Sequence, residues 1–284
     1  MEDRQPDSRK GARSMSAVPA DVLARLSSGQ CESVNLMEWL AADMSALACA
    51  VAAEVRSPAL ASSLRAAAEA AAGLGVTKRL STFGDAVAEA TDATGVDYDL
   101  LASHRSDLVR QWACYALGSV RLGRRPNERL AAMLPYADDP NMSVRETAWM
   151  AFRPYLAQDL GGLLDALVAL AHDARPNVRR FAVEVSRPRS VWGAHISSLK
   201  RHPEQADGLL QPVRGDSSRY VRLAVGNWLN DASKSRPDWV RKTCAAWLAD
   251  DPSDAARAVV RRGLRGLSRS AGQVPSVVLD PLGA

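Results

Sequence analysis

The sequence lacks the features by which membrane and secreted proteins are usually identified. No apolar run reaches the roughly 18 residues of a membrane-spanning helix, and the polar first 16 residues contain no signal-peptide core. The four cysteines are widely scattered and form neither a CxxC pair nor a Cys/His cluster. We therefore expect a soluble, cytoplasmic protein with reduced, buried thiols, no metal site and no cofactor.

Common enzyme signatures are missing as well. The chain has no Gly-rich phosphate loop, no HExxH zinc motif and no GxSxG nucleophile motif. Its four histidines are isolated in the sequence, which favours structural over catalytic roles for them. Neither a metalloprotease, a serine hydrolase nor a phosphate-loop enzyme is therefore indicated.

A Val-Arg pair, in contrast, recurs along the chain at nearly even intervals. Successive arginines of this pair are 35, 34, 43 and 35 residues apart. They are Arg110, Arg145, Arg179, Arg222 and, in a weaker copy, Arg257. A period of this length with two helices per unit is typical of a HEAT-type α-solenoid. The sequence therefore predicts an all-α protein of HEAT-like repeats with a concave binding face.

The residues around each pair explain why a helix should begin there. Aspartates precede the copies, and an aspartate near a helix start accepts hydrogen bonds from free backbone N–H groups. These are Asp107, Asp139, Asp173, Asp216 and Asp251. The valine and an alanine four residues later, as in Val144 and Ala148, fall on one helix face. We expect this apolar face to pack against the neighbouring repeat.

The repeat pattern divides the chain into four segments. We predict a disordered N-terminus over 1–15, a helical cap over 16–97, HEAT-like repeats over 98–268 and a flexible tail over 269–284. The cap contains four predicted helices, at 16–30, 33–55, 58–74 and 77–93. The first helices of the repeat pairs are predicted near 126–136, 160–172, 204–213 and 236–248.

Positive charge is concentrated in the C-terminal half. Residues 174–270 contain 19 Lys/Arg and 9 Asp/Glu, although the net charge of the whole chain is only +4. Such a distribution is consistent with a surface that faces a polyanion such as nucleic acid. It is equally consistent with a solvated, arginine-rich helix face, and charge alone leaves both interpretations open.

The 43-residue step marks an insertion at 186–204, and a loop on a regular scaffold is a common place for function. It brings together Arg187, Arg189, Trp192, Lys200 and Arg201. A tryptophan is more often part of the core, but an indole after Arg-Pro-Arg could stack on a base. The nearby segment 226–240 carries Asn227, Asn230 and Lys234, which either cap a helix or contact a ligand.

Three carboxylates lie inside otherwise apolar helical segments: Glu146, Glu184 and Asp231. A buried carboxylate is costly unless it is paired or functional. Each of them is therefore either a candidate catalytic group, a surface residue, or the partner of a repeat arginine.

The segments 35–44, 181–196 and 220–240 (NLMEWLAADM, FAVEVSRPRSVWGAHI and YVRLAVGNWLNDASKSRPDWV) resemble the AlkC branch of the HEAT-like-repeat DNA glycosylases. The resemblance extends over about residues 33–268. It implies that Asp231 is the main catalytic carboxylate, that Glu184 and Glu146 are acidic active-site residues, and that Trp192 is the active-site aromatic. It also implies that Arg187 and Arg189 lie near the DNA backbone.

The function implied by this resemblance is hydrolysis of the N-glycosidic bond of cationic alkylated bases, such as 3-methyladenine and 3-methylcytosine, in duplex DNA without base flipping. The expected partner is alkylated double-stranded DNA, with Lys200, Arg201, Asn227, Asn230 and Lys234 as further DNA-binding residues. We expect a monomer that associates with the nucleoid and with no membrane. Trp228, within the Asn-rich segment, is expected to alter substrate fit. The alternative is a non-catalytic HEAT-repeat scaffold that binds DNA or protein.

Overall fold

A computed structural model describes the backbone of residues 9–271 and the side chains of residues 9–267. All regular elements within this part of the chain are helical, as predicted. The chain forms two compact units, one ending at Phe152 and one beginning at Arg153. None of the described helices is both long and apolar enough to cross a bilayer.

The N-terminal unit contains eight α-helices and the first part of a ninth. They are α1 (Ala20–Ser27), α2 (Leu36–Ala41), α3 (Met44–Glu54), α4 (Pro58–Ala70), α5 (Val76–Thr91), α6 (Gly95–Ala102), α7 (Asp107–Gly118), α8 (Pro126–Ala137) and α9 (Met142–Gln158). Single 3-10 turns cover Met15–Ala17 and Val120–Leu122. The predicted cap helices and the first repeat copies thus belong to one compact unit.

Close packing of α5 on α7 explains why the cap and the first repeat form one unit. Phe83 stacks on Trp112 with ring centroids 4.2 Å apart. Beside them, a side chain at Gly84 would meet the Cβ of Tyr115 at 2.5 Å, so the approach of the two helices requires glycine. The boundary predicted at 97/98, between the cap and the repeats, therefore lies inside the first compact unit, which ends at Phe152.

The C-terminal unit contains the end of α9 and seven further helices. They are α10 (Leu160–Leu170), α11 (Pro176–Val185), α12 (Ser197–Arg201), α13 (Asp207–Leu210), α14 (Arg219–Ser233), α15 (Pro237–Asp250) and α16 (Asp254–Ala271). Helix α14 packs closely on α16. A Cβ added at Gly226 would lie 2.7 Å from Arg262, and one added at Gly263 would lie 2.8 Å from Leu229, so neither position has room for a side chain. Two glycines thus set the distance between these helices.

The Val-Arg repeat has a structural explanation. Its valines, for example Val144 and Val178, are fully buried on the predicted face. Its arginines fold back onto the loop before their own helix: Arg179 Nη1 donates to the carbonyls of Asp173 and Ala174 at 2.8 and 3.0 Å. Arg110, Arg145, Arg222 and Arg257 make equivalent bonds to backbone carbonyls. The repeated arginine therefore stabilises the turn between two helices through hydrogen bonds to its backbone carbonyls.

Four of the five aspartates predicted at the helix starts accept backbone hydrogen bonds there; the exception is Asp107, which accepts from the backbone N–H and the hydroxyl of Ser33 at 2.8 and 2.6 Å. Each of the four bonds to the N–H two residues further along, at 2.7–3.0 Å, in Asp139, Asp173, Asp216 and Asp251. Asp139 and Asp216 also form ion pairs with the arginine of the preceding copy, Arg110 and Arg179 respectively. The repeat thus links consecutive copies through their turns.

Two predicted helices are interrupted. The helix predicted over 33–55 breaks at Ala42, because Asp43 caps a new helix by accepting from the backbone N–H groups of Ser45 and Ala46. The helix predicted over 204–213 is a succession of short turns, Pro203–Ala206, α13 and Gln211–Val213. Pro212 lacks the N–H group that a continuous helix would need at this point.

The ends of the chain differ in part from the prediction of disorder. Residues 1–8 and 272–284 lie outside the described residues. Residues 9–12, predicted to be disordered, contact the region of α2: Arg9 pairs with the buried carboxylate of Glu38 at 2.6 Å, and the Ala12 carbonyl accepts from Asn35 at 2.7 Å. An acidic partner 29 residues away was not recognisable from the local polarity of this segment.

Candidate active site

Two of the three predicted carboxylates come together in the C-terminal unit. Glu184 lies at the end of α11 and Asp231 near the end of α14, and each is only 4% exposed. Arg187 bridges them: its Nη2 is 2.7 Å and its Nε 2.8 Å from Asp231 Oδ2, while its Nη1 is 3.1 Å from Glu184 Oε2. The cluster thus consists of two buried carboxylates joined by one guanidinium.

Further cations surround this bridge. Arg180 lies 3.5 Å from the second oxygen of Glu184, and Lys234 lies 3.4 Å from the second oxygen of Asp231. Burial alone would lower the pKa of the Arg187 guanidinium, but Glu184 and Asp231 raise it above its ordinary value. The charged form of Arg187 is therefore held in place by the carboxylates, and three cations compensate two anions.

A buried arginine, Arg153, shapes the loop that carries Arg187. The three groups of its guanidinium donate to the backbone carbonyls of Ala194, Val185 and Arg187 at 2.9, 2.8 and 2.7 Å. Burial, reinforced by the charge of Arg187, lowers the pKa of Arg153 to about 10. Arg153 thus closes the loop between the end of α11 and residue 194.

Trp228 supports the same loop from α14 and has no contact with solvent. Its indole N–H donates to the carbonyl and the hydroxyl of Ser186 at 3.1 and 3.2 Å. A fully buried indole that bonds to the end of α11 does not contact a substrate directly, and the effect of Trp228 on substrate fit stays a prediction. Its role is to fix the point at which the inserted loop begins.

Trp192 differs from Trp228 in its exposure. Its side chain is 39% exposed on the loop closed by Arg153, and the neighbouring Val191 is 90% exposed. Arg189, on the same loop, donates to the hydroxyl of Ser235 at 2.8 Å. The loop therefore presents one aromatic and one apolar side chain to solvent, which is a surface available to a ligand.

Lys200 and Arg201 lie on the short helix α12. With Ser197, Ser235 and Arg236 they line a cavity of about 320 Å³. Arg236 donates to the carbonyl of Arg201 and pairs with Glu204 at 3.8 Å. This cavity is polar and rich in cations, and Ser235 connects it to the Arg189 loop.

The two predicted asparagines lie on α14, and their surroundings differ. Asn227 Oδ1 accepts from Arg262 Nε at 2.9 Å and from Arg265 Nη2 at 3.1 Å. Asn230 is buried near Gly266, and its Oδ1 has no hydrogen-bond partner among the described residues. Asn227 therefore holds two arginines of α16, and a direct contact of Asn230 with DNA is not supported by its burial.

Glu146 lies in the N-terminal unit, on α9. Its carboxylate accepts from the indole N–H of Trp149, one helical turn away, at 2.8 Å. This bond gives Glu146 a structural partner inside its own unit. Its assignment to the active site remains a prediction.

Sequence reasoning missed three arginines that contribute to this region, Arg153, Arg262 and Arg265. Arg153 was hidden because it follows a repeat motif by eight positions and carries no pattern of its own. The arginines of α16 were treated as part of a weak repeat copy. Their spacing of three residues, which places them on one helix face, was the signal that could have revealed them.

The fold and this cluster define a class: an all-helical repeat protein with a buried, arginine-bridged pair of carboxylates in a basic unit. Known proteins support the fold. No family model matches the chain. The uncharacterized protein YhaZ of Bacillus subtilis is 39% identical over 106 residues, which cover 37% of this chain and 30% of that protein. The chain thus matches less than a third of the length of this relative.

Solved structures match over most of the chain. The alkylpurine DNA glycosylase AlkC of Pseudomonas fluorescens, bound to DNA containing an abasic site analog, superposes with a TM-score of 0.64 at 23% identity. The match covers 90% of this chain and 65% of AlkC. AlkD2 of Streptococcus mutans gives a TM-score of 0.54 at 21% identity, covering 71% of this chain and 95% of AlkD2. The predicted fold is thereby confirmed: this chain has the helical-repeat fold of the AlkC and AlkD2 structures.

Proposed function

We propose that this chain is a DNA glycosylase of the AlkC type, which hydrolyses the N-glycosidic bond of cationic alkylated bases in duplex DNA. The observation that carries the proposal is the arginine-bridged pair Glu184 and Asp231. Two buried carboxylates are costly to maintain, and carboxylates are the groups that stabilise positive charge on a substrate. The shared fold with a glycosylase solved on DNA supports the same reading.

A cationic base such as 3-methyladenine or 3-methylcytosine is already a good leaving group. When the C1′–N bond breaks, its electron pair neutralises the base, so no general acid is required. Positive charge then develops on the sugar, as in other glycoside hydrolysis. Asp231 stabilises this charge and orients the water that attacks C1′, while Glu184 adds negative potential.

Arg187 gives the proposed site a way to respond to DNA. In the free protein its guanidinium engages both carboxylates, and with 24% of its side chain exposed it is accessible to solvent. A DNA phosphate is an alternative bidentate partner for a guanidinium. When Arg187 binds a phosphate of the DNA backbone, it releases Asp231 Oδ2, which is then free to face the sugar.

The exposed loop supplies the remaining part of the site. The face of Trp192 can interact with a cationic base or sugar, an interaction worth about 0.5–2 kcal/mol. Arg189, Lys200, Arg201 and Lys234 are proposed to contact phosphates. Because Trp192 lies on an exposed loop, we propose that the lesion is processed without full base extrusion.

The test is base release from methylated duplex DNA, with the released bases identified by mass spectrometry. We expect the wild-type chain to release 3-methyladenine or 3-methylcytosine. Asp231→Asn should reduce release by a factor on the order of 10²–10³, the usual effect of removing one electrostatic group. Binding of the duplex without any base release would instead favour a non-catalytic, DNA-binding repeat protein.

A further inference from the structure

A second cationic site lies on α16, apart from the arginine-bridged carboxylates. Arg262 and Arg265 converge on a single neutral acceptor, the side-chain oxygen of Asn227, at 2.9 and 3.1 Å. Neither arginine forms an ion pair with a carboxylate among the described residues. Two guanidinium groups that share one amide oxygen have their charges uncompensated at short range.

The electrostatics of this pair agree with its geometry. Burial lowers the pKa of the Arg262 guanidinium, and the positive charge of Arg265 lowers it further. Arg187 and Arg219 act in the same direction, while Glu184 opposes them. Glu184 is itself already shared between Arg180 and Arg187. The pair is therefore under mutual repulsion that an anion would relieve.

The pair is also held in position before any ligand arrives. The aliphatic part of Arg262 lies directly over Gly226, where the added Cβ of any larger residue would be 2.7 Å from Arg262 Cβ. The Asn227 oxygen fixes the direction of both guanidinium groups. Because their forks are preorganised, little side-chain entropy remains to be lost on binding an anion with several acceptor oxygens.

We propose that Arg262 and Arg265, oriented by Asn227, form a binding site for a phosphodiester group of the DNA backbone. A phosphate offers acceptor oxygens to both guanidinium groups, whereas Asn227 offers one. Since Arg262 is within electrostatic range of Arg187 and Glu184, the site would hold the backbone close to the proposed catalytic carboxylates. This inference rests on the proposed function, because it assumes that the polyanion is DNA.

The experiment measures the affinity for an undamaged duplex as a function of salt concentration, with base release measured in parallel. Each phosphate contact contributes about −0.9 to the slope of log K against log salt. Because both arginines would contact the same phosphate, Arg262→Gln/Arg265→Gln should make the slope shallower by about 0.9. Asn227→Asp keeps both arginines but adds a compensating carboxylate, and it should weaken binding as well.

Arg261→Gln is the matched control, because Arg261 is an exposed arginine on the same helix with no ion pair to a carboxylate among the described residues. It should leave the slope within about 0.3 of that of the wild type. An unchanged slope in the double variant would overturn the proposal, and so would an equal loss for Arg261→Gln, which would indicate only general charge attraction. Thermal unfolding of each variant identifies any that fail to fold, and Asn227→Asp then remains as the independent test.

Two further measurements distinguish DNA from free phosphate as the ligand, and distinguish the phosphate site from the proposed glycosylase activity. If inorganic phosphate raises the unfolding temperature of the wild type but not of the double variant, while duplex binding is equal, the site binds free phosphate and the DNA assignment is wrong. A shallower slope together with no base release by the wild type would support this site and contradict the glycosylase. Base release with an unchanged slope would do the reverse.

Discussion

The two units of the molecule each contain an arginine that bridges two carboxylates, and the two clusters differ in the exposure of that arginine. In the N-terminal unit Arg110 joins Glu32 and Asp139, at 2.5 and 2.8 Å, and is only 1% exposed. In the C-terminal unit Arg187 joins Glu184 and Asp231 but is 24% exposed. The same ion-pair chemistry is thus sealed in one unit and accessible in the other.

The surroundings explain the difference. Around Arg110, the second oxygens of Glu32 and Asp139 accept from the side chain and the backbone N–H of Asn141. Every group of that cluster therefore has a partner in the fold. Around Arg187 the additional partners are the cations Arg180 and Lys234, and Lys234 is half exposed. A cluster with excess positive charge and access to solvent is suited to a ligand, whereas a closed one stabilises the chain.

The largest expected effect contrasts these two arginines in stability. Arg110→Met leaves two buried carboxylates without their cation and should cost on the order of 3–5 kcal/mol in the free energy of unfolding. Arg187→Met should cost clearly less, because Arg180 and Lys234 remain beside the carboxylates. Chemical denaturation of both variants measures the difference. Equal losses would show that the Arg187 cluster is as structural as the Arg110 cluster.

A second pair of arginines distinguishes the positioning of the loop that carries Arg187 from a contribution to the stability of the fold. Arg129 and Arg153 are both buried, and each donates to three backbone carbonyls of a loop in its own unit. Arg153→Met should lower base release by roughly 10²-fold, because a misplaced loop misaligns Arg187. Arg129→Met should destabilise its unit and leave the base release of the folded fraction unchanged.

The readout for this pair is single-turnover base release at saturating protein, together with the unfolding temperature. Arg153→Lys retains the positive charge and part of the hydrogen bonding, so it should recover part of the rate. If Arg129→Met slowed release as strongly as Arg153→Met, the loss would reflect general destabilisation and the positioning role of Arg153 would be refuted.

The smallest predicted effect on base release concerns Trp192, which differs in exposure from the buried Trp228. Trp192→Ala should leave the free energy of unfolding nearly unchanged and lower base release by about tenfold, the size of a cation–π contribution. Trp228→Ala removes a fully buried ring and should cost about 3–5 kcal/mol in stability. Parallel denaturation and release assays test both. Full release by folded Trp192→Ala would remove Trp192 from the proposed site.

Much of the fold could be predicted from the sequence because the repeat depends on interactions between residues that are close in the chain. The valines, the preceding aspartates and the repeated arginines act within one turn or between adjacent copies, so their period predicted helices such as α7 and α14. The breaks at Asp43 and Pro212 depended on capping and on missing backbone donors, which override an apolar pattern. The union of the cap with the first repeat depends on tertiary packing of α5 on α7, for which the sequence carries no local signal.

The site was predictable only in part, for a similar reason. Resemblance pointed to Glu184, Asp231 and the Arg187 loop, and the structure brings these three together. It could not indicate that Arg153 closes that loop or that Trp228 is buried beneath it, since both contacts span 30 or more residues. Asn227 was expected to contact DNA, but its contacts to Arg262 and Arg265 became visible only with α14 packed on α16.

The most direct test of the central claim is to measure base release and unfolding on the same preparation of Asp231→Asn. If the exposed cluster is functional, single-turnover release from methylated duplex falls by about 10²–10³ while duplex binding is retained and the loss of stability stays below that of Arg110→Met. If release is unchanged and the unfolding free energy falls as far as in Arg110→Met, the cluster is structural and Asp231 is not the catalytic carboxylate.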